Sequence, residues 1–531
     1  MSDYDLLIEN GTVIDGTGSP GFKAAVGVAG DTVTVIRGET EAIGAGRRID
    51  ATGRIVAPGF IDLHSHSGVM ILAEPLHEPK VRQGVTTEVI GVDGNSYAPF
   101  ASIEDLRAFA RLNAGLDGIP DIGWDWGSVD SYLERLDRGV SVNLALLVGN
   151  SALRIDALGW DDVPADATAM DRMRGLLRES MEEGAFGLSS GLDYPPGSFA
   201  TTEELAGLTN EAARLGGFYH THVRYSLGDR FLDPFREALE IGRLGEGPVH
   251  ITHFYYRPIY PGSGGEQIAL VEEARASGIE VTWDTYPYEW ASTRLLIMLP
   301  PWTQAGGPDA TLERLADPVV RDRIRGEIET RGRAYANKGA WDALRLGYFA
   351  TPEYLEWEGR TLGEFMRESG KDVVDAMCDM LVAEDLRINE VAPGPGEDSL
   401  GPFLAHPLSM VGTDSTFISD RPSPRTYGSF PRILGEFVRD TGVMTLENAV
   451  RKMTGTPSAR LGLRHRGLLR NGFKADITIF DPGTVATTAT YEDPRSFPIG
   501  IDWVIVNGQV VVDDSVHTGA TPGRALRRRD A

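Results

Sequence analysis

Hydrophobic positions in this chain change their period from one region to the next. Toward the N-terminus they come in short alternating runs cut by Gly and Asp: Leu6 to Ile8, Thr12 to Ile14, Ala25 to Val28 and Val33 to Ile36. Alternation of period two predicts half-buried strands. The same character returns in Asp476 to Phe480 and in Trp503 to Val512, where Asn507-Gly508 supplies a hairpin turn. The two ends are expected to pair into one small β-sandwich-like domain, residues 1–57 with 468–531. Between them, β-rich segments alternate with helical patterns such as Asp171 to Glu183, Glu203 to Leu215 and Gly265 to Ala276. That is the signature of parallel βα units in an α/β protein.

Candidate strands end near His66, Gly91, Val148, Ser189, His222, His253, Asp284 and Asp414. Eight such strands predict a (β/α)₈ TIM-type barrel over residues 58–467. The ends at His222, His253 and Asp284 recur every ~31 residues, one strand plus its crossover helix. The last interval is far longer, so an inserted subdomain is expected between strands seven and eight, at about 288–400. Pro300, Trp302, Tyr348 and Tyr354 within it point to a position over the barrel mouth.

Composition narrows the class. With 531 residues, 41% of them hydrophobic and 24% charged, the chain is globular and long enough for a barrel with an attached lobe. A net charge of −26 opposes binding to nucleic acid or to anionic membranes. The opening residues carry neither a basic nor an apolar leader region, and no run of 18 apolar residues follows; a cytoplasmic protein is expected. The single cysteine, Cys378, excludes an intramolecular disulfide and a thiolate-only metal site. A metal here must rely on His, Asp or Glu.

The strongest local signal for chemistry is Pro58-Gly59-Phe60-Ile61-Asp62-Leu63-His64-Ser65-His66. Histidines two apart on a strand share a face, spaced by about 6.6 Å, and both can reach one ion. His222, His253 and Asp414 close three further strand-like runs, at the end where a barrel carries its active site. Imidazole and carboxylate are the ligands of zinc-type sites, and hydrolysis needs one more carboxylate to move protons. His220 and His250 read better as supporting or core residues.

These stretches resemble the amidohydrolase superfamily and, within it, the D-aminoacylase (N-acyl-D-amino-acid deacylase) family. The likeness runs nearly end to end: APGFIDLHSH at 57–66, QGVTTEVIG at 83–91, GAFGLSSGLDYPPG at 184–197, THVR at 221–224, DTYPYEWAST at 284–293, GTDS at 412–415, YGSFPRILG at 427–435 and GFKADITIFDP at 472–482. The resemblance implies hydrolysis of a linear amide of a small molecule, with one or two divalent ions, zinc first and manganese or cobalt as alternatives. It assigns His222 and His253 to a tight metal site, His64 and His66 to a weaker one, and proton transfer to Asp414. Where the family usually has Cys after strand two, this chain has Asp93; it reads either as a carboxylate ligand or as a turn aspartate before Gly94.

The substrate side departs further. The family's strand-six Lys is Tyr255 here, and a His usual after strand three is Asn150, which puts binding of a substrate carboxylate in question. Arg224 and Arg257 are candidates to restore the positive charge; Tyr286 and Ser292 match substrate-contact positions and Tyr194 lies in a matching loop, each reading equally as core packing or a satisfied loop hydroxyl. A cyclic-amide hydrolase of the hydantoinase or dihydroorotase kind shares the barrel and the HxH pair. It usually carries a carboxylated lysine on strand four, where this chain has Gly187-Leu188-Ser189-Ser190. A metal-free binding protein on the same scaffold would be expected to lose ligands, yet all four histidines and Asp414 are present.

Overall fold

A computed structural model describes residues 3–225, 231–258, 262–331 and 341–530. Its centre is a barrel of eight parallel strands: β1 Phe60–Asp62, β2 Val85–Ile90, β3 in two pieces at Asn143–Leu146 and Val148–Gly149, β4 Gly187–Gly191, β5 Phe218–His222, β6 Val249–Ile251, β7 Val281–Thr285 and β8 Ser409–Val411. Each strand pairs in parallel with the next, from β1 beside β2 through to β7 beside β8. The ring closes between last and first strands through Leu63 N to Val411 O at 3.3 Å, Asp414 N to His64 O at 2.8 Å and His66 N to Ser415 O at 3.0 Å. The crossover helices begin where the sequence supplies caps. Asp166, Thr201 and Ser263 each accept a backbone N–H from the first turn of Ala167–Glu183, Thr202–Arg214 and Gly264–Ala276.

Strands from the two chain ends interleave. One seven-stranded sheet contains Ile55–Pro58 paired antiparallel with Ile477–Phe480, and Ile501–Val506 lies beyond it. A four-stranded sheet of Tyr4–Glu9, Ala25–Ala29, Thr32–Ile36 and Ala45–Asp50 accompanies it. Leu6, Val26, Val33, Ile477 and Ile505 form a shared core of alternating inward residues. The last strand leaves this lobe: Ala525–Leu526 pairs in parallel with β3, Leu144 opposite Ala525.

Between β7 and β8 the chain builds a three-stranded antiparallel sheet, Trp290–Arg294 and Arg345–Gly347 flanking Asn389–Pro393. Helices Gly307–Ala316, Pro318–Arg331, Leu362–Ser369 and Val373–Ala383 join it around a separate apolar core that includes Leu295, Leu315, Phe365 and Met380. Trp302 and Tyr354 pack on that core, while other residues of the sheet face the barrel mouth. Among the described residues, no helix is long and apolar enough to cross a membrane.

Candidate metal centre

Each strand delivers its polar residue just past its last ladder bond, at the C-terminal rim of the barrel, where side chains leave the packed interior and converge. His64 and His66 follow β1, Asp93 follows β2, His222 ends β5, His253 follows β6 and Asp414 follows β8. All six are at most 7% exposed. Their donor atoms fall into two groups with Asp93 common to both: His64, His66, Asp93 and Asp414, and Asp93, His222 and His253. His64 Nε2 lies 3.4 Å from Asp93 Oδ2 and 3.5 Å from Asp414 Oδ1, while His66 Nε2 lies 3.7 and 3.3 Å from the same two atoms. His222 Nδ1 is 3.5 Å and His253 Nε2 3.8 Å from Asp93 Oδ2.

Backbone geometry aims these groups. Asp93, His253 and Asp414 sit in the left-handed region, with φ of 52°, 34° and 50°. Side chains tolerate this poorly, and such strain concentrates at functional sites. Gly94, at φ +73°, lets the Asp93 turn lie close to β4: a Cβ built there would come within 2.8 Å of Gly191 N. Gly412 has the same function beneath His64, whose Cβ would be 2.7 Å from a Cβ built there.

The donor set fits divalent cations. His66 Nδ1 pairs with Asp117 Oδ1 at 2.7 Å, which makes it the protonated nitrogen and directs the Nε2 lone pair inward. His222 Nε2 pairs with Asp193 Oδ2 at 3.1 Å, which leaves its Nδ1 lone pair 3.0 Å from His253 Nε2. Both ring nitrogens of His64 and Nε2 of His66 are buried without a hydrogen-bond partner. Lone pairs facing carboxylates repel unless a positive charge sits among them. Electrostatics say the same: burial disfavours a charged His64, but Asp93 and Asp414 outweigh it and raise its pKa to about 10. His222 rises to about 9 against its burial, through Asp193 and Asp93. Asp93 is held well below the carboxylate range by His64, His222 and His253 despite its burial.

Beneath the centre, His220 and His250 stack at 5.0 Å, and His250 Nε2 meets Asp284 Oδ2 at 3.0 Å. Asp284 Oδ2 also lies 3.6 Å from His64 Nδ1, so this layer orients His64 from below.

The centre opens into a narrow cleft lined by Tyr194, Tyr225, Tyr255, Tyr286 and Arg257, and by Ala291, Thr293, Glu390 and Ala392 of the inserted sheet. Tyr286 and Arg257 both donate to the Tyr255 hydroxyl, each at 2.9 Å. With its acceptor positions filled, that hydroxyl turns its own proton toward the cleft. Ser292 donates to Asn389 Oδ1 at 3.1 Å, and Tyr194 Oη meets Thr293 Oγ1 at 2.8 Å. Arg224 goes elsewhere. Its guanidinium meets Glu237 at 3.0 Å and donates to the carbonyls of Ser198 and Ala200, outside the cleft lining. β5 ends at His222, so residue 224 no longer follows the strand's alternation, and Glu237 neutralises it.

Four residues that sequence reasoning did not single out take part. Asp117 and Asp193 orient His66 and His222. Arg425 is fully buried with Nη1 2.9 Å from Asp414 Oδ2, and Glu390 lines the cleft. Asp193 lies inside the 184–197 stretch and Arg425 two residues before 427–435, so the resemblance already bracketed both.

The amidohydrolase family model matches residues 47–512. D-aminoacylase of Alcaligenes xylosoxydans xylosoxydans is 35% identical over 99% of this chain and 98% of its own length. N-acyl-D-glutamate deacylase of the same organism is 34% identical over 99% and 96%. The crystal structure of N-acyl-D-glutamate deacylase from Bordetella bronchiseptica, complexed with zinc and a phosphonate mimic of the tetrahedral intermediate, superposes with a TM-score of 0.83 at 33% identity, covering 99% of both chains. Strand order, converging histidines and end-to-end likeness agree: this chain belongs to the amidohydrolase family, in its D-aminoacylase group.

Proposed function

We propose that this protein is a metal-dependent hydrolase of linear amides that deacylates N-acyl-D-amino acids. The carrying observation is the pair of His/carboxylate groups joined at Asp93, with Asp414 at their edge and the cleft directly above. His222, His253 and Asp93 would hold one divalent ion, and His64, His66 and the carboxylates of Asp93 and Asp414 a second. Zinc suits the imidazoles, and the carboxylate at residue 93 also admits harder ions such as manganese or cobalt. When bound, such an ion polarises the acyl carbonyl and makes water more acidic.

The protein's own part is proton movement and binding. Arg425 fixes Asp414 Oδ2, which leaves Oδ1 facing the histidines. Burial would raise the pKa of Asp414, but Arg425 and His64 outweigh it and bring it to about 2. Asp414 therefore stays ionised, with Oδ1 placed to take the proton of the attacking water and pass it to the leaving nitrogen. Tyr255 and Arg257 offer donors to the substrate's carboxylate where relatives use a lysine; Tyr194, Tyr286 and Ser292 wall the substrate in.

The test is reconstitution of chelated wild-type and Asp93→Ala protein with zinc, manganese or cobalt, followed by assay on paired D- and L-N-acetyl amino acids, dipeptides and hydantoins. We expect metal-dependent turnover of the D series and loss of bound metal in the alanine variant. Turnover of hydantoins alone would overturn the linear-amide reading, and full metal occupancy in Asp93→Ala would remove residue 93 from the ligands.

A further inference from the structure

The central strand of the inserted sheet carries a carboxyl group into the wall of the cleft that faces the metal centre. Glu390 lies opposite Thr293 in the antiparallel ladder, and Ala392 lies opposite Ala291. Directly opposed residues share a face, and all four line the cleft above the metal centre. Glu390 is 3% exposed, and its Oε2 has no hydrogen-bond partner. A buried carboxylate oxygen without a partner destabilises the fold unless a ligand satisfies it. Nothing in the ladder requires an acidic residue here, because the backbone alone makes those bonds. Burial lifts the Glu390 carboxyl to about 8, while Arg257 and Arg425 only partly oppose this.

The neighbours on the cleft wall give the surrounding chemistry. Ile297, Met298, Ala392 and Pro393 are apolar and small or flexible, suited to an alkyl chain. Glu390 shares the cleft lining with them, and Arg257 and Arg425 are the charged groups that act on it. Arg257 lies on the same wall beside Tyr225 and Tyr255, at 5.3 and 5.4 Å from their ring centres, and is placed for an anionic group of the same ligand.

Resting on the deacylase reading above, we propose that Glu390 determines specificity: the cleft takes N-acyl-D-amino acids whose side chain ends in a cation, a primary amine or guanidinium, with Glu390 as its counter-charge. An alkylammonium supplies both the hydrogen bond Oε2 lacks and the charge that keeps it ionised.

The experiment compares zinc-reconstituted wild type, Glu390→Gln and Glu390→Leu on the N-acetyl derivatives of D-lysine, D-arginine, D-norleucine and D-glutamate. Calorimetric binding of the hydrolysis-resistant N-methylsulfonyl derivatives of D-lysine and D-norleucine runs alongside. We expect wild type to favour D-lysine or D-arginine over D-norleucine by at least tenfold in kcat/KM. Both variants should lose that preference, with the D-lysine to D-norleucine ratio of kcat/KM falling to within about threefold of one, and the lysine analogue should bind wild type tenfold more tightly than either variant. Turnover of D-norleucine with no preference for the basic substrates, or a preference that survives both substitutions, overturns the role of Glu390 and leaves the deacylase reading standing. If no N-acetyl amino acid is turned over, the deacylase reading fails, and the calorimetry still decides whether Glu390 holds a cation: equal affinities for the two analogues reject it.

Discussion

Two buried clusters of charge lie side by side where β1, β2 and β8 meet, and they are built on opposite principles. In one, Lys80 is wholly enclosed; its ammonium reaches Asp62, Thr413 Oγ1 at 2.6 Å and Ser415 Oγ at 3.2 Å. Glu88 is held by Ser67 at 2.7 Å and His77 at 3.0 Å, and Asp62 accepts the amides of His64 and Thr413. Cations and anions alternate there, and opposite charges lie in contact. In the other, His64, His66, Asp93 and Asp414 point acceptors at one another, and three imidazole nitrogens have no hydrogen-bond partner. A network of opposite charges in contact fixes strands, whereas one whose buried acceptors face one another is organised around something it binds. The pairing also explains how the second is held: the residues that carry its backbone are bonded to the first.

Substitutions should separate the two. The largest effect is expected from Asp414→Asn, which keeps an acceptor for Arg425 but cannot take a proton. Turnover should fall by about 10²–10⁴-fold with bound metal retained, and a variant keeping more than a tenth of wild-type kcat would remove Asp414 from proton transfer. Next, Lys80→Met leaves Asp62 and Glu88 buried without their cation. A loss of about 3–5 kcal/mol in urea unfolding is expected, with normal metal content in the molecules that remain folded. A loss below about 1 kcal/mol would mean that this cluster does not secure the barrel, since surface pairs already reach that value. The smallest effect belongs to Asp117→Asn, which weakens the orientation of His66. Metal affinity should drop by about 10–100-fold in competition titrations, with unfolding little changed; unaltered affinity would separate His66 from the metal.

The sequence was legible where a periodic segment ends in a reactive residue. The strands before His64, His222, His253 and Asp414 are short apolar runs stopped by a ligand type, so pattern and chemistry point to the same positions. Asp93 stood out only through the resemblance, at the position where the family usually has Cys; its place before Gly94 read equally as a turn. Asp117, Asp193, Arg425 and Glu390 were not, because each acts across a long stretch of chain from a loop, a helix start or the inserted sheet, where no spacing rule connects it to its partner. Arg224 shows the reverse error: a two-residue spacing carries a shared face only while the strand continues, and β5 stops at His222. The Trp and Tyr residues of the insertion marked a packed unit, but Trp302 and Tyr354 serve its own core, and the inserted sheet lines the cleft with smaller residues such as Ala291, Thr293 and Ala392.

The barrel is sewn shut by the very residues that gather at its mouth. Leu63, His64 and His66 on one side and Val411, Asp414 and Ser415 on the other exchange the hydrogen bonds that join first strand to last. An ion gripped by side chains from both edges would act as a clasp across that seam. Its arrival would tighten the cylinder as a whole, and its departure would loosen the fold first at the place where the reaction occurs.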